Sequence, residues 1–458
     1  MCLIDNLKSI IGPSKDYIFK ELIIDKKKLI LLFNEVLINT QGVNDFILRE
    51  VVKLKRKDLN NLVNSLPNTN IKIINENEIL DYVNKGFLVI ISNKIYASEF
   101  KSLFDRGVTT IESELSISGP KDSFSENYNL NLALIRKRIK SCDLHVIDKE
   151  IGRTTKTKIG ILYMNNIANK NLVNKIINSI NKIDIDGIID SSYLKMELEG
   201  KKSFFPTIMM SERPDKCTMA LLEGKVIIIV DMSPYVLILP SFFLDFFHTV
   251  DDYYQKDFNT SFIRIIRVLA FFIAIFTPAI YISVTTRNYD LIPINLLMML
   301  KAGRSFVPFP AYIEALFMIV CFEILKESDL RMSSTSGSAV SILGGLILGD
   351  AAVSAGIVSP IMIIVIAISS IAGLIFTSIE LVNALRIYKI FLLLLATFLG
   401  IYGVIIGCFF MFYNMITIKI FGNSYLIFEK NDSILKLNKK IKYRNNKLTN
   451  NIIRGRIK

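Results

Sequence analysis

FIRIIRVLAFFIAIFTPAIYISV, residues 262–284, is the stretch that decides the architecture. It exceeds the roughly 20 apolar residues that cross a bilayer as a helix. Its only charges, Arg264 and Arg267, sit near its start, where long side chains can snorkel to the interface. Working outward, 306–325, 357–377 and 387–415 are also long enough to span, so about four spans are expected. Residues 291–300 and 339–349 are apolar but too short, and read as re-entrant or interfacial helices. An even number of spans returns the chain to the side it started from.

Composition changes abruptly on the amino-terminal side of this region. Over the whole chain 51% of 458 residues are hydrophobic and mean hydropathy is +0.41. Before about residue 230, however, apolar runs are short and broken by Lys, Asn, Asp and Glu. Runs 29–33, 87–91, 159–164, 225–231 and 235–240 read as strands, and 44–56, 125–140 and 169–182 as helices. Such alternation implies α/β layering. The expected organisation is therefore a two-lobed α/β soluble region (1–140 and 141–255), a polytopic helical membrane domain (256–428) and a basic tail (429–458).

The net charge is +13, and residues 429–458 hold ten Lys or Arg against two acids. Basic residues directly after an apolar run mark an anionic, cytoplasmic membrane surface rather than nucleic acid. The start lacks an apolar signal segment, and Lys8 is its only basic residue. Both ends are thus expected in the cytoplasm. The five cysteines have neither zinc spacing nor a disulfide framework.

Chemistry-bearing signals are sparse. The two histidines, His145 and His248, are unaccompanied, and no phosphate-binding, nucleophile-elbow, zinc or dinucleotide motif occurs. No catalytic residue, metal ligand or cofactor is expected, and the chain reads as a non-enzyme. The hexapeptide 211–216, Ser-Glu-Arg-Pro-Asp-Lys, is either an anion site or a salt-bridge corner. Gly337, Ser341, Gly345 and Gly349 recur every four residues and form a ridge of small side chains, suited to close helix packing or to gating. Glu314 and Asp350 are candidate intramembrane acids. For Glu314 the alternative is an interfacial ion pair with Lys301 or Arg304. Ser359, Ile363, Ile366, Ser370, Gly373 and Thr377 share one helical side, which either lines a pore with a hydrophobic constriction or faces a neighbouring helix.

Taken in order, several short motifs resemble the A-subunit family of bacterial spore germinant receptors, the GerA type. They include Gly119-Pro120 with Phe124, Asn131, Arg136 and Arg138, then Phe205-Pro206, Glu212-Arg213-Pro214-Asp215-Lys216 and 221–226. Asp252-Tyr253-Tyr254, Arg264 and Arg267 follow, then 307–310, Glu314, Phe322-Glu323, Gly349, Ala351-Ala352-Val353 and Ser359-Pro360. The resemblance runs from about residue 25 to 425. It implies a subunit of the spore inner membrane with two α/β soluble lobes. It further implies a transporter-like B subunit that senses the nutrient, a lipoprotein C subunit, and a homo-oligomer forming a gated cation path. On that basis 359–377 becomes the pore candidate, Ile363 and Ile366 its gate, and the glycine ridge the oligomer contact. Asp350 stands where the family more often has a neutral amide. The competing reading is a secondary transporter with its site between broken helices, but the sequence holds no inverted repeat.

Overall fold

The computed structural model describes residues 3–426 apart from 25–26, 46–48, 50–70, 102–113, 115–118, 200–203, 332–344 and 346–348. The basic tail, most of the helix expected at 44–56, and Gly337 and Ser341 of the ridge lie outside the described residues.

The first lobe holds α1 (Leu3–Ile11), β1 (Tyr17–Ile24), β2 (Lys27–Asn34), β3 (Ile71–Ile74), α2 (Ile79–Asn84), β4 (Phe87–Ile91) and β5 (Ile95–Glu99). Its strands lie in the order β1-β2-β4-β5-β3. The alternation along β2 explains the core. Leu29, Leu31 and Phe33 pack on one side of the sheet, Ile30 and Leu32 on the other with Leu7, Ile11, Ile79 and Val83 of the two helices. A strand buried on both faces reads as an unbroken apolar run.

The second lobe repeats this plan. It contains α3 (Tyr128–Arg138), β6 (Leu144–Ile151), β7 (Thr157–Met164), α4 (Lys170–Asn181), α5 (Ser191–Glu199), β8 (Met209–Ser211), α6 (Pro214–Glu223), β9 (Val226–Val230) and β10 (Val236–Leu239). The order β6-β7-β9-β10-β8 reproduces that of the first lobe strand for strand. The leading hairpins match as well, Tyr17 facing Asn34 and Leu144 facing Met164. After β2 and β7 the chain turns in the same way into a helix whose N-cap is an asparagine, Asn39 or Asn169.

Two expectations need correction. Every strand pair described is antiparallel. The lobes are therefore antiparallel sheets carrying helices, and their helix-bearing crossovers, β3 to β4 and β8 to β9, are each split by the strand lying between them. In addition α3, assigned by sequence to the end of the first lobe, packs Leu132 and Ile135 against Leu162 and Ile227 of the second sheet. The second lobe thus begins ahead of residue 128 rather than at 141.

The carboxy-terminal region is helical: α7 (Asp257–Thr286), α8 (Ile294–Ala302), α9 (Ala311–Arg331), α10 (Pro360–Gly373), α11 (Ile379–Leu399) and α12 (Ile401–Thr417). The central α7 packs against α9, α10, α11 and α12. Among the described residues, two helices are long and apolar enough to cross a membrane, Phe258–Thr286 and Ile379–Leu399. The expected set of four spans is not reproduced. At 14 residues, α10 is about 21 Å long, short of a roughly 30 Å hydrocarbon layer. The run 387–415 is not one helix. It reverses at Gly400, whose φ of +60° and ψ of −138° suit glycine. Asn288 Oδ1 accepts the Ile401 N–H there at 2.9 Å, so the reversal sits beside the end of α7. Phe391 and Phe410 then meet across the hairpin with ring centres 5.4 Å apart.

The chain comes back to the second lobe. A short hairpin, β11 (Lys419–Ile420) and β12 (Asn423–Ser424), follows α12. Lys175 of α4 donates to the Phe421 carbonyl at 3.1 Å. Tyr425 is buried against Phe205 and Phe243.

Replacing Gly400 with valine forces a β-branched side chain into this conformation and into Asn288. Loss of about 3 kcal/mol is expected, read as a lower melting temperature of the purified protein in detergent; unchanged melting would refute the assignment of the reversal.

Candidate functional site

The sequence motifs that stand out one by one converge in space, at the seam between the second lobe and α7. Asp252 is 2% exposed. Its carboxylate accepts from Arg264 Nε at 3.1 Å and from Arg267 Nη1 at 2.8 and 2.9 Å. Arg267 also donates to the Phe247 carbonyl at 3.0 Å and to Thr249 Oγ1 at 2.8 Å. The arginines are three residues apart and so share one side of α7. Rather than snorkelling outward, both are buried and held by an acid from the preceding turn.

The two residues after Asp252 grip the lobe. Tyr253 donates to Glu223 and Tyr254 to Asp215, each at 2.9 Å. These acids stand at opposite ends of α6. Gly119, at φ +118°, lies against the Tyr254 ring, where an added Cβ would come within 2.6 Å.

The hexapeptide 211–216 is a salt-bridge corner. Arg213 pairs with Asp215 at 2.7 and 3.0 Å and donates to the Glu114 and Pro120 carbonyls at 3.1 and 3.3 Å. Lys216 pairs with Glu114 at 2.6 Å. Burial pushes the Asp215 carboxyl up, but the Arg213 bonds and charge outweigh it and the net shift is downward. Burial and the Asp215 charge push the Tyr254 phenol up, so it stays a donor. His248 beside the joint is pushed down to about 4, by burial first and then by the Arg264 charge.

Two further contacts fix the lobes. Arg136, 1% exposed, binds Asp16 of the first lobe bidentately at 2.8 and 3.1 Å, and Asn34 donates to the same carboxylate at 2.7 Å. Below the second lobe, Lys195 of α5 pairs with Glu380 in the first turn of α11. An aromatic cluster fills the rest: Phe205 stacks on Tyr388 at 5.1 Å, and Phe247 meets Phe271 and Phe376 at 5.5 and 5.4 Å. Each such pair adds about 0.5–1.5 kcal/mol beyond area burial.

In the helical domain Glu314 is buried and caps the start of α10. Its Oε2 accepts from the Ser359 N–H and hydroxyl at 3.1 and 3.0 Å, and Arg304 pairs with Oε1 at 2.8 Å. Of the two expected partners, Arg304 is the one engaged. The six-residue stripe does not share one open side. Ser359 and Ile366 are buried within the chain, Ile366 beside Met318, Met362 and Leu393. Ile363, Ser370 and Gly373 are half-buried at the margin, and Thr377 is exposed beyond the helix end. The outward side of α10 carries Ile364, Ile368 and Ile371 instead. A Cβ added at Gly345 or Gly349 would come 4.0 Å from Leu325 or Ile363 of the same chain, and Asp350 is exposed.

Sequence reasoning named Arg264, Arg267 and Asp252 without pairing them. The signal was present: an acid 12 and 15 residues ahead of two arginines in an otherwise apolar helix. It passed over Arg386 and Lys389, the latter a charge inside a run taken as a span.

The family model described as "Bacillus/Clostridium GerA spore germination protein" matches residues 5–446. The chain is 40% identical over 323 residues to spore germination protein KA of Bacillus subtilis (strain 168), covering 70% of this chain and 59% of that protein. It is 31% identical over 410 residues to spore germination protein GerQA of Bacillus cereus, covering 88% and 82%. A crystal structure of the N-terminal domain of the A subunit of the Bacillus megaterium spore germinant receptor GerK3 covers 52% of this chain and 94% of that one, at 25% identity and a TM-score of 0.40. The chain belongs to the GerA family of spore germination proteins, and its two long apolar helices fit a membrane protein.

Replacing Asp252 with alanine leaves two buried arginines without a counter-charge. A loss of about 3–5 kcal/mol is expected, measured by thermal melting in detergent. A second outcome concerns pH. His248 titrates at about 4 in the fold and near its ordinary 6.5 when unfolded. Between these values the unfolded chain binds more protons, so the His248 contribution to stability declines as pH drops through that window. A His248→Gln variant should show a flatter decline in melting temperature from pH 6.5 to 4; an identical slope would exclude His248 as its source.

Proposed function

We propose that this chain is the A subunit of a nutrient-sensing germinant receptor, a non-enzymatic protein of the spore inner membrane. Several copies enclose a gated cation path. A transporter-like B subunit reports the nutrient, a lipoprotein C subunit completes the complex, and the lobes face the cytoplasm. The seam at Asp252 carries the signal from the lobes to the helices.

The observation that carries the conducting role is α10. It carries no charge, is too short to cross alone, and is held at its start by Ser359 on Glu314. Its Ile364, Ile368 and Ile371 remain uncovered in a single chain. A ring of such side chains, one helix from each copy, would form a hydrophobic constriction that stays shut by dewetting. Ile366 is assigned to packing, because its side chain is spent inside the subunit.

The test is cation flux from liposomes holding the purified full-length protein, with and without its partner subunits. Ile368→Ser should raise resting leakage severalfold by wetting the constriction. Ile366→Ala should instead lower stability by about 2–4 kcal/mol through a cavity. Liposomes that stay tight with every variant and partner combination would end the conducting role.

A further inference from the structure

Near the lobe end of the helical domain, α9 and α11 pack together and carry a charged cluster where the surrounding helices are apolar. Arg386 Nη2 meets Glu323 Oε2 at 2.6 Å. Lys389, one turn further along α11, is 6% exposed. Among the described residues it has no hydrogen-bond or ion-pair partner, and its charged neighbours are Glu323, Lys326 and Arg386. Lys326 of α9 is half-buried and likewise unpaired among the described residues. Glu327, the next acid on α9, is exposed. Three cations therefore share the Glu323 carboxylate within this cluster.

The position of the cluster along α11 narrows its ligand. Glu380, in the first turn of α11, is tied to Lys195 of the second lobe. Counting from Glu380, Arg386 and Lys389 stand about 9 and 14 Å further along the axis. In a bilayer that begins at the lobes, this is just beneath the headgroup layer, within reach of long basic side chains that extend toward phosphates. Ile324 and Ile387 beside the cluster are exposed apolar residues, a rim suited to acyl chains.

We propose that this charged cluster binds the phosphate of an anionic lipid headgroup in the leaflet facing the lobes. Lys326, Arg386 and Lys389 donate to it, and Glu323 holds Arg386 in position. Basic pockets between helices on this side of a membrane are suited to such headgroups. The inference rests on the membrane placement of the helical domain and not on ion conduction.

The full-length protein in neutral detergent is titrated separately with phosphatidylglycerol, phosphatidylcholine and inorganic phosphate. Melting temperature and lipid retained in native mass spectrometry are the readouts. Phosphatidylglycerol is expected to raise the melting temperature and stay bound, while phosphatidylcholine does neither. Lys389→Gln and Lys326→Gln should each weaken phosphatidylglycerol binding about fivefold, the loss of one basic contact. The second change, at a half-exposed position, leaves packing intact. Equal responses to the two lipids, or full affinity in Lys326→Gln, would overturn the site. Inorganic phosphate matching phosphatidylglycerol would overturn the lipid assignment. A protein that binds phosphatidylglycerol selectively yet conducts nothing would leave the site standing and remove only the channel.

Discussion

One carboxylate shared by two arginines sets the geometry of the whole chain. Arg264 and Arg267 lie on the inner side of α7 and cannot be buried there without a counter-charge. Asp252 supplies it from the turn just before the helix. Because Tyr253 and Tyr254 are fastened to α6, neutralising the arginines also orients the second lobe. The Lys195–Glu380 pair and the aromatic cluster can then form, since the lobe already stands over α7 and α11. The first lobe is set at one remove, through Asp16 on Arg136.

The two lobes show one folded unit put to different uses. Their strand orders are identical, but the helix before the fourth strand differs. In the second lobe it is α6, ten residues long, with Asp215 and Glu223 serving the joint. In the first lobe it is α2, six residues long, ending on Asn84, which accepts from Tyr17 beside the inter-lobe ion pair. One copy turns this end toward the helices, the other toward its twin.

Local pattern revealed what local forces decide. Strand β4 was legible to the residue because all five of its positions are buried. Helices α3 and α4 fall within the expected stretches 125–140 and 169–182. The lobe boundary was not, because the partner of α3 is a sheet formed later in the chain. Nor was the reversal at Gly400, since no proline or charge marks it and its backbone conformation is stabilised by the distant Asn288. For α10 the spacing placed Ser359, Ile363, Ile366 and Ser370 along one side, but only the neighbours decide which side faces inward, and they claim Ile366.

The return of the chain through Lys419–Phe421 has a mechanical consequence. The second lobe is clamped where the helical domain begins, at α7, and again where it ends, just past α12. These helices therefore cannot answer to the lobe independently. A force on the lobe would therefore load both near ends together, with the Gly400 bend seated at the opposite tip of α7.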